Sequence, residues 1–335
     1  MSSKRSRPRL WLCLGISLAV VLAAVLGLGA FARGPWVFSV PQGFVPPEVD
    51  PASLRTTVEQ LCGPLSPRVY APPLHLDRVA DWLSYRIRDV GYPVEEQRYR
   101  LPEGEYRNLV VRVPGTDPSL PPVIVGAHYD SYGDFPAADD NASGVAVLLE
   151  LIRTLPREPL PRTRIFAFFP NEEPPFFSSE EMGSHHFARS FLDAELDVEL
   201  MVALDCIGYY SDEPGSQRYP LKAFRLFYPS RGDFLAVIGD LASGRSVEKA
   251  KRGLRSAGSI PVLSFRGPAQ MPGILWSDHY WFRRFDYPAV LVSDTAFHRT
   301  PHYHRRSDTP ETLNYERMAD AVQALHGLLN HVARE

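Results

Sequence analysis

Residues 122–131, PVIVGAHYDS, join an apolar strand directly to polar residues that can carry chemistry. The run PVIVG is short, continuous and apolar, which is typical of a strand covered on both faces of a sheet. His128 and Asp130 follow it almost immediately. Because ligands of open α/β sheets bind beyond the carboxyl ends of the strands, we expect a functional site at this point.

Two other apolar runs end in the same way. RIFAFF at 164–169 is soon followed by Glu172 and Glu173, and LMVAL at 200–204 is followed by Asp205. A helix candidate lies between the first run and the second. This alternation predicts an α/β fold, a three-layer sandwich with a mostly parallel central sheet flanked by helices.

The other predicted elements cover the chain from residue 54 onward. Further strands are predicted at 94–100, 107–113, 224–228 and 289–292. Helices are predicted from their apolar spacing at 54–61, 76–90, 143–152, 232–242 and 312–332. The 335 residues allow one large domain or two ordinary ones, and we assign residues 51–335 to one domain.

The composition excludes several classes of protein. Hydrophobic residues make up 44% and charged residues 22%, which argues against a disordered or fibrous chain. The 36 Lys and Arg residues nearly balance the 39 Asp and Glu residues, so nucleic acid is not the expected partner. The cysteines at 13, 62 and 206 are too few and too scattered for a disulfide scaffold or a thiolate zinc site.

The N-terminus predicts a membrane anchor. Residues 1–9 carry four basic residues and no acid, and no charge occurs from Leu10 to Ala32. A helix of that length covers roughly 35 Å, enough for a hydrocarbon core of about 30 Å. We therefore expect a cytoplasmic tail at 1–9 and a single-pass transmembrane anchor at 10–32.

The same stretch also fits a cleaved signal peptide. Cleavage after Ala32 would release a secreted protein, although the apolar run is longer than the usual core of a signal peptide. In both cases the main domain is expected outside the cytoplasm, in the periplasm or the extracellular space. The proline-rich residues 33–50 predict a linker or an arm packed on the surface.

Histidine and carboxylate side chains dominate the predicted site. Besides the three strand ends, ADDNASG at 138–144 precedes a helix, and HYH at 302–304 precedes the last helix. Such groups repel one another when crowded unless cations hold them. Imidazole and carboxylate ligands without thiolate suit a catalytic zinc, with manganese or cobalt tolerated. The candidates exceed the needs of one zinc, so two metals sharing a carboxylate are expected.

Six motifs follow one another along the chain: GAHYDS at 126–131, ADDNASG at 138–144, the glutamate pair at 172–173, LDCIGYY at 204–210, SDHYWF at 277–282 and HRRSDT at 304–309. In this order they resemble metallopeptidase family 28, over roughly residues 55–332. This family contains co-catalytic dizinc exopeptidases with a phosphorylase/hydrolase-like fold, which they share with glutaminyl cyclases. Each motif alone is weak evidence, but six in order are specific.

The resemblance implies two Zn²⁺ ions per chain. His128 and Asp205 would hold one ion, and Glu173 and His304 would hold the other. Asp140 would bridge both ions. Peptides are then the expected substrates, cleaved by a hydroxide that the two metals share.

The resemblance also implies two catalytic residues. Glu172 would be the general base that takes a proton from water and passes it to the leaving amine. Asp130 would accept the second N–H of His128 and orient its ring. Each assignment has a structural alternative: Asp139 can cap the following helix, and a lone histidine is often an ordinary core residue.

The last histidine is the least certain ligand by local pattern. His298 and His302 compete with His304, and the downstream Asp308 and Thr309 favour His304. A second uncertainty is the insertion PPFFSSEEM between the glutamate pair and Gly183. It is longer than in simple aminopeptidases, and glutaminyl cyclases carry a longer insertion at the same place.

Three functions therefore stand as hypotheses. The first is a membrane-anchored dizinc aminopeptidase. The second is a glutaminyl-peptide cyclotransferase with one zinc, and the third is a non-catalytic, receptor-like domain. The aromatic residues Phe176 and Phe177 of the insertion are expected to line the substrate pocket, while Glu180 and Glu181 either lie on the surface or receive a substrate amine. The oligomeric state is left open.

Overall fold

Eight strands form one mixed sheet in the computed structural model, which describes residues 17, 19, 20, 23, 25–27, 29–37, 39–41 and 43–335. The strand order is β1-β2-β4-β3-β5-β8-β6-β7. Strands β4, β3, β5 and β8 run parallel to one another. Strand β2 pairs antiparallel with both β1 and β4, and β6 pairs antiparallel with β8 but parallel with β7. The strands are β1 Glu95–Leu101, β2 Gly104–Val113, β3 Val123–His128, β4 Arg164–Phe169, β5 Leu200–Leu204, β6 Leu235–Asp240, β7 Val262–Gly267 and β8 Ala289–Ser293.

Helices cover both faces of this sheet, as the sequence predicts. Helices α1, α2, α3, α5 and α7 contribute to the larger core on one face, and α4 and α6 contribute to the smaller core on the other. The helices are α1 Pro51–Cys62, α2 Leu74–Asp89, α3 Gly144–Arg153, α4 Gly183–Asp193, α5 Gly244–Arg255, α6 His279–Arg284 and α7 Tyr315–Val332.

Burial on both faces explains the continuous apolar strands. In β4, Phe166 and Phe168 enter the larger core, whereas Ile165 and Ala167 enter the smaller one. Alternate side chains of a strand point to opposite faces, so neither set can be polar. Polar residues are therefore displaced to the strand ends, where β3, β4 and β5 finish at the same edge of the sheet.

Two predicted elements between residues 224 and 242 are wrong. Residues 224–228 are not a strand, because Lys222–Leu226 form a 3₁₀-helix. Residues 232–242 are not a helix, because Leu235–Asp240 form β6. A short apolar run does not distinguish a buried strand from a buried helix by its periodicity, and here its pairing with β7 and β8 decides.

The predicted anchor at 10–32 lies partly outside the described residues. Within the part of the chain that is described, no helix combines the length and apolarity needed to cross a membrane. The proline-rich residues that follow pack against the domain. The Ser264 hydroxyl donates to the carbonyl of Arg33 at 2.8 Å, and the Lys251 ammonium donates to the carbonyl of Pro35 at 3.2 Å.

Candidate metal centre

The loop that carries Asp140 is held on both sides by hydrogen bonds. Asp308 accepts from the amides of Asp139 and Asp140, at 2.9 and 3.2 Å. The Asn141 side chain donates to the carbonyl of Leu204 at 2.8 Å, and the peptide bond between Asp140 and Asn141 is cis. These contacts attach the loop to the end of β5 and to the segment before α7, so the Asp140 carboxylate has a defined position.

Asp139 does not cap α3, in contrast to one reading of the sequence. The residue before α3 is Ser143, and its side chain makes no capping hydrogen bond. Asp139 is buried instead, and its carboxylate accepts from the amide of Gly208 at 2.8 Å. Burial, together with the nearby Asp294, raises the pKa of Asp139 well above its usual range.

The first group of candidate ligands joins the ends of β3 and β5 to this loop. His128 Nε2 lies 3.4 Å from Asp140 Oδ1 and 3.8 Å from Asp205 Oδ2. The His128 side chain is fully buried, and neither ring nitrogen has a hydrogen-bond partner among the described residues. The three residues offer ligand atoms within 4.8 Å of one another, which suits one metal ion.

The second group shares Asp140 with the first. His304 Nε2 lies 3.0 Å from Asp140 Oδ2 and 3.4 Å from Glu173 Oε2. Each Asp140 oxygen therefore faces a different histidine. The His304 ring is stacked between Tyr132 and Tyr303, with ring centroids 3.9 Å away on each side. All five predicted ligands thus meet in two groups with one common carboxylate.

The other histidines of the same loop lie outside these groups. His302 Nδ1 is 3.0 Å from the Ser307 hydroxyl, and the His298 ring contacts the ring of Phe297. Among the described residues, His304 is the only histidine of this loop in a metal-compatible group. The spacing to Asp308 thus selects the same histidine as the geometry.

These residues fit metal ions by their chemistry as well as by their positions. Unpartnered nitrogens on His128 and His304 and an unpartnered Glu173 oxygen are buried together, and buried polar atoms without partners are costly. Burial and the neighbouring Asp140 raise the pKa of Glu173 to about 8. Despite its burial, His304 has its pKa raised to about 10 by Asp140 and Glu173. The site therefore calls for positive charge, which two divalent cations would supply.

The two predicted catalytic residues lie beside the first group. Glu172 Oε2 is 3.9 Å from His128 Nε2, and burial raises the pKa of Glu172 well above its usual range. Asp130 accepts from the amides of Glu172 and Glu173, at 3.2 and 2.9 Å. Asp130 Oδ1 also lies 3.4 Å from His128 Nδ1, but without hydrogen-bond geometry. Its direct effect is therefore on the backbone of the glutamate pair.

Arg68 is a structural residue that the sequence analysis did not identify. Its buried guanidinium donates to the carbonyls of Tyr129, Ala137, Leu61 and Pro136, at 2.9 to 3.0 Å. Arg68 thereby ties the segment after His128 to the loop before Asp140. No motif marks it, because its partners are backbone groups that any residue supplies.

Asp278, in the motif SDHYWF, received no role from the sequence. It is fully buried, and both carboxylate oxygens are without a hydrogen-bond partner among the described residues. Burial raises its pKa to about 7, and the charges of His128 and Asp205 act on it. Asp278 thus adds another carboxyl group behind the first set of ligands.

Comparison with known proteins decides the family. Residues 108–329 match the profile of peptidase family M28. The chain belongs to peptidase family M28. This confirms the resemblance drawn from the six motifs, and the two groups of ligands lie within the matched region.

One similar protein is named as uncharacterized, and others are named as leucine aminopeptidases. The uncharacterized protein YfbL of Escherichia coli is 40% identical over 304 residues, which are 88% of this chain and 92% of YfbL. Leucine aminopeptidase 1 of Uncinocarpus reesii is 27% identical over 272 residues, which are 76% of this chain and 63% of that protein.

Solved structures extend the likeness to two kinds of M28-like protein. LapB from Legionella pneumophila has a TM-score of 0.66 at 20% identity, covering 86% of this chain and 73% of LapB. A glutaminyl cyclase from Fimbriiglobus ruber has a TM-score of 0.65 at 22% identity, covering 88% of this chain and 99% of that chain. At these identities the comparison shows a shared fold.

Substituting the neighbouring histidines separately tests the ligand assignment. We expect His304→Ala to weaken binding of the second zinc by at least about 100-fold. Losing a residue that only hydrogen-bonds to a metal ligand typically weakens metal affinity by about 10–100-fold, and losing the ligand itself should cost more. His302→Ala is the matched control and should bind zinc as the wild type does. Zinc titration of both purified variants is the measurement. Loss of zinc from His302→Ala alone would contradict the assignment.

Changing Arg68→Lys tests the tie between the two ligand loops. Lysine keeps the charge but leaves some of the four carbonyls without a hydrogen-bond donor. Each buried carbonyl without a donor lowers the free energy of unfolding by about 1–3 kcal/mol. We expect a lower free energy of unfolding and roughly 10-fold weaker zinc binding. Arg55→Lys, on the exposed face of α1, is the control. Unchanged zinc affinity in Arg68→Lys would reject this role.

Proposed function

We propose that this M28 family member is a dizinc aminopeptidase that hydrolyses peptides outside the cytoplasm. The observation that carries the proposal is the sharing of Asp140 by two groups of metal ligands, with Glu172 beside one of them. The names of the leucine aminopeptidase relatives point in the same direction. The complete ligand set argues against a receptor-like domain, which has no need to retain it.

The side chains of the site divide the catalytic work. When bound, zinc supplies electrophilic polarisation and makes water acidic enough to react near neutral pH. Glu172, which lies 3.9 Å from His128 Nε2, takes the proton of the attacking water and returns it to the leaving amine. Asp130 accepts hydrogen bonds from the amides of Glu172 and Glu173. These bonds position the backbone from which the side chains of the proposed base and the proposed metal ligand extend.

An apolar cavity beside Asp205 suggests the substrate side chain. The cavity has a volume of about 90 Å³, and most of its lining is aromatic or aliphatic. The lining includes Phe265, Ile274, Trp276 and Phe297. Since Asp205 is a candidate ligand on the same wall, a residue whose carbonyl reaches the metal centre can insert its side chain here. A leucyl or phenylalanyl residue at the N-terminus fits this lining better than a charged one.

The insertion after the glutamate pair contributes to the same region. Phe177 contacts Trp276 edge-on, with ring centroids 6.2 Å apart, and Trp276 lines the apolar cavity. Phe176 packs edge-on against Tyr70 at 4.9 Å, and the Trp281 indole donates to the carbonyl of Ser179. The insertion is therefore an ordered wall beside the proposed substrate pocket.

The glutamate pair provides a sharp test of the mechanism. We expect Glu172→Gln to retain both zinc ions while turnover falls by about 10²–10⁴, because the proton acceptor is lost and the ligands are kept. Glu173→Ala should instead lose zinc from the second site. Zinc content and steady-state hydrolysis measured on the same preparations separate the two effects. The reverse pattern would exchange the roles of the two residues.

A panel of N-terminal residues tests the substrate class. We expect leucyl and phenylalanyl substrates to be hydrolysed at least about 10-fold more efficiently than aspartyl or lysyl ones, because an apolar pocket favours apolar side chains. The measurement is kcat/KM for matched aminoacyl anilides with zinc present, and phenylalanyl peptides blocked at the N-terminus are the control. Equal hydrolysis of the blocked peptides would argue against an aminopeptidase.

A glutaminyl cyclotransferase is the second candidate, because glutaminyl cyclases share the fold and the insertion is extended. It predicts one bound zinc and cyclisation of N-terminal glutamine. Formation of pyroglutamyl product, with one zinc per chain at saturation, would favour the cyclase over the aminopeptidase.

The membrane anchor at 10–32 is part of the same proposal. It rests on the uncharged run behind the basic tail at 1–9. We expect the full chain to sediment with membranes and a chain beginning at Arg33 to stay in the soluble fraction. A mature N-terminus at Arg33, found by sequencing the exported protein, would show cleavage after Ala32 and reject the anchor.

A further inference from the structure

A second cavity lies at the opposite edge of the sheet from the metal ligands. Its volume is about 430 Å³, and Arg164, the first residue of β4, lines it. Other parts of its wall are the arm at 43–45, the loop after α3 and the end of α7. Five further residues of β4 separate Arg164 from the loop of Glu172, roughly 17 Å at the usual rise of a strand.

Arg164 is buried in an unusual way. The residue is 4% exposed, and its Nε has no hydrogen-bond partner in the described part of the chain. Among the described residues its guanidinium makes no ion pair or hydrogen bond, although other buried arginines of this protein do. Arg162 pairs with Glu199 at 2.9 Å, and Arg107 pairs with Asp81 at 2.5 Å. A buried guanidinium without a counter-charge is unfavourable, so its place in a cavity calls for an anionic partner.

The other polar groups of the cavity do not neutralise Arg164. Glu158 pairs with Arg334 at 2.9 Å, so its charge is already balanced. His326 Nε2 is 2.8 Å from the Thr154 hydroxyl. Burial lowers the pKa of His326 to about 4, with a further contribution from Arg164, so this ring is neutral at physiological pH. One uncompensated positive charge is left, and it belongs to Arg164.

The geometry points to a binding site for an oxyanion, a carboxylate or phosphate-type group, on Arg164. A guanidinium presents its N–H donors as a planar fork that matches two oxygens of such a group. Leucine side chains at 155, 160 and 329 and the Phe44 ring form much of the remaining wall. The cavity therefore has room for an anion that carries an apolar tail. This site is independent of the proposed peptidase activity.

Thermal unfolding of the zinc-loaded full chain tests the site with two probes, sulfate and hexanoate. At roughly 100 times the dissociation constant we expect the unfolding midpoint to rise by roughly 3–10 °C relative to chloride at equal ionic strength. Arg164→Met should lose this rise. Arg112→Met, which removes an arginine paired with Glu95 on the neighbouring strand, should keep it.

Two comparisons make the result specific. Both anions can coordinate zinc, so only the part of the shift that depends on Arg164 supports the site. Hexanol is the uncharged control for the tail and should give no such shift. A larger response to hexanoate than to sulfate would identify an organic acid as the ligand, and the reverse would identify an inorganic oxyanion.

A cavity-filling variant covers the case in which Arg164→Met does not fold. Leu155→Trp keeps Arg164 but occupies the cavity, and it should weaken binding of both probes at least 10-fold in isothermal titration. Equal midpoint shifts in wild type and Arg164→Met would overturn the proposal. Unchanged binding in Leu155→Trp would overturn it as well.

Discussion

Buried negative charge at one edge of the sheet is the constraint on which the rest of this structure depends. Asp140, Glu172, Glu173 and Asp278 are all nearly inaccessible to water, and Asp139 is buried behind them. Carboxylates at this density are stable only if protons or cations compensate them. Two histidines balance part of the charge, and cations at the two candidate metal sites that share Asp140 would balance the remainder.

The scaffold accommodates this charge with backbone amides and one arginine. Asp308 and Asp130 each accept from two consecutive backbone amides, which positions the two loops that present Asp140 and Glu173. Arg68 donates to carbonyls of the segment after His128 and of the loop that leads to Asp140. None of these three residues is a ligand. They lower the freedom of the ligands before any metal binds, which is how a preorganised site gains affinity.

The two edges of the sheet differ in how they treat buried charge. At the edge where β3, β4 and β5 end, carboxyl groups surround two histidines, and each histidine faces one oxygen of Asp140. At the opposite edge, Arg164 lines a cavity together with residues 43–45 and makes no ion pair among the described residues. The same strand, β4, begins at Arg164 and leads into the loop that carries Glu172. The five buried residues of β4 after Arg164 lie between the two sites.

Much of the site was predictable from the sequence, because local signals determine it. Apolar runs followed by His128, Glu173 and Asp205 place ligands at strand ends, and parallel pairing then brings the ends together. The region from 224 to 242 was not predictable in the same way. There the periodicity of a short apolar run is compatible with either a helix or a strand, and only pairing with neighbouring strands of the sheet decides between them.

By itself, the sequence determined the family, the α/β class, the chemical type of the ligands and their order along the chain. The tertiary structure decided that His304 rather than His302 approaches Asp140, that Asp139 turns away from α3 toward Gly208, and that Arg68 joins two loops. It also decided that Arg164 has no counter-charge among the residues that the structure describes. The physical reason is that each of these facts is a contact between distant segments, and the position of a side chain relative to a distant backbone is absent from local pattern.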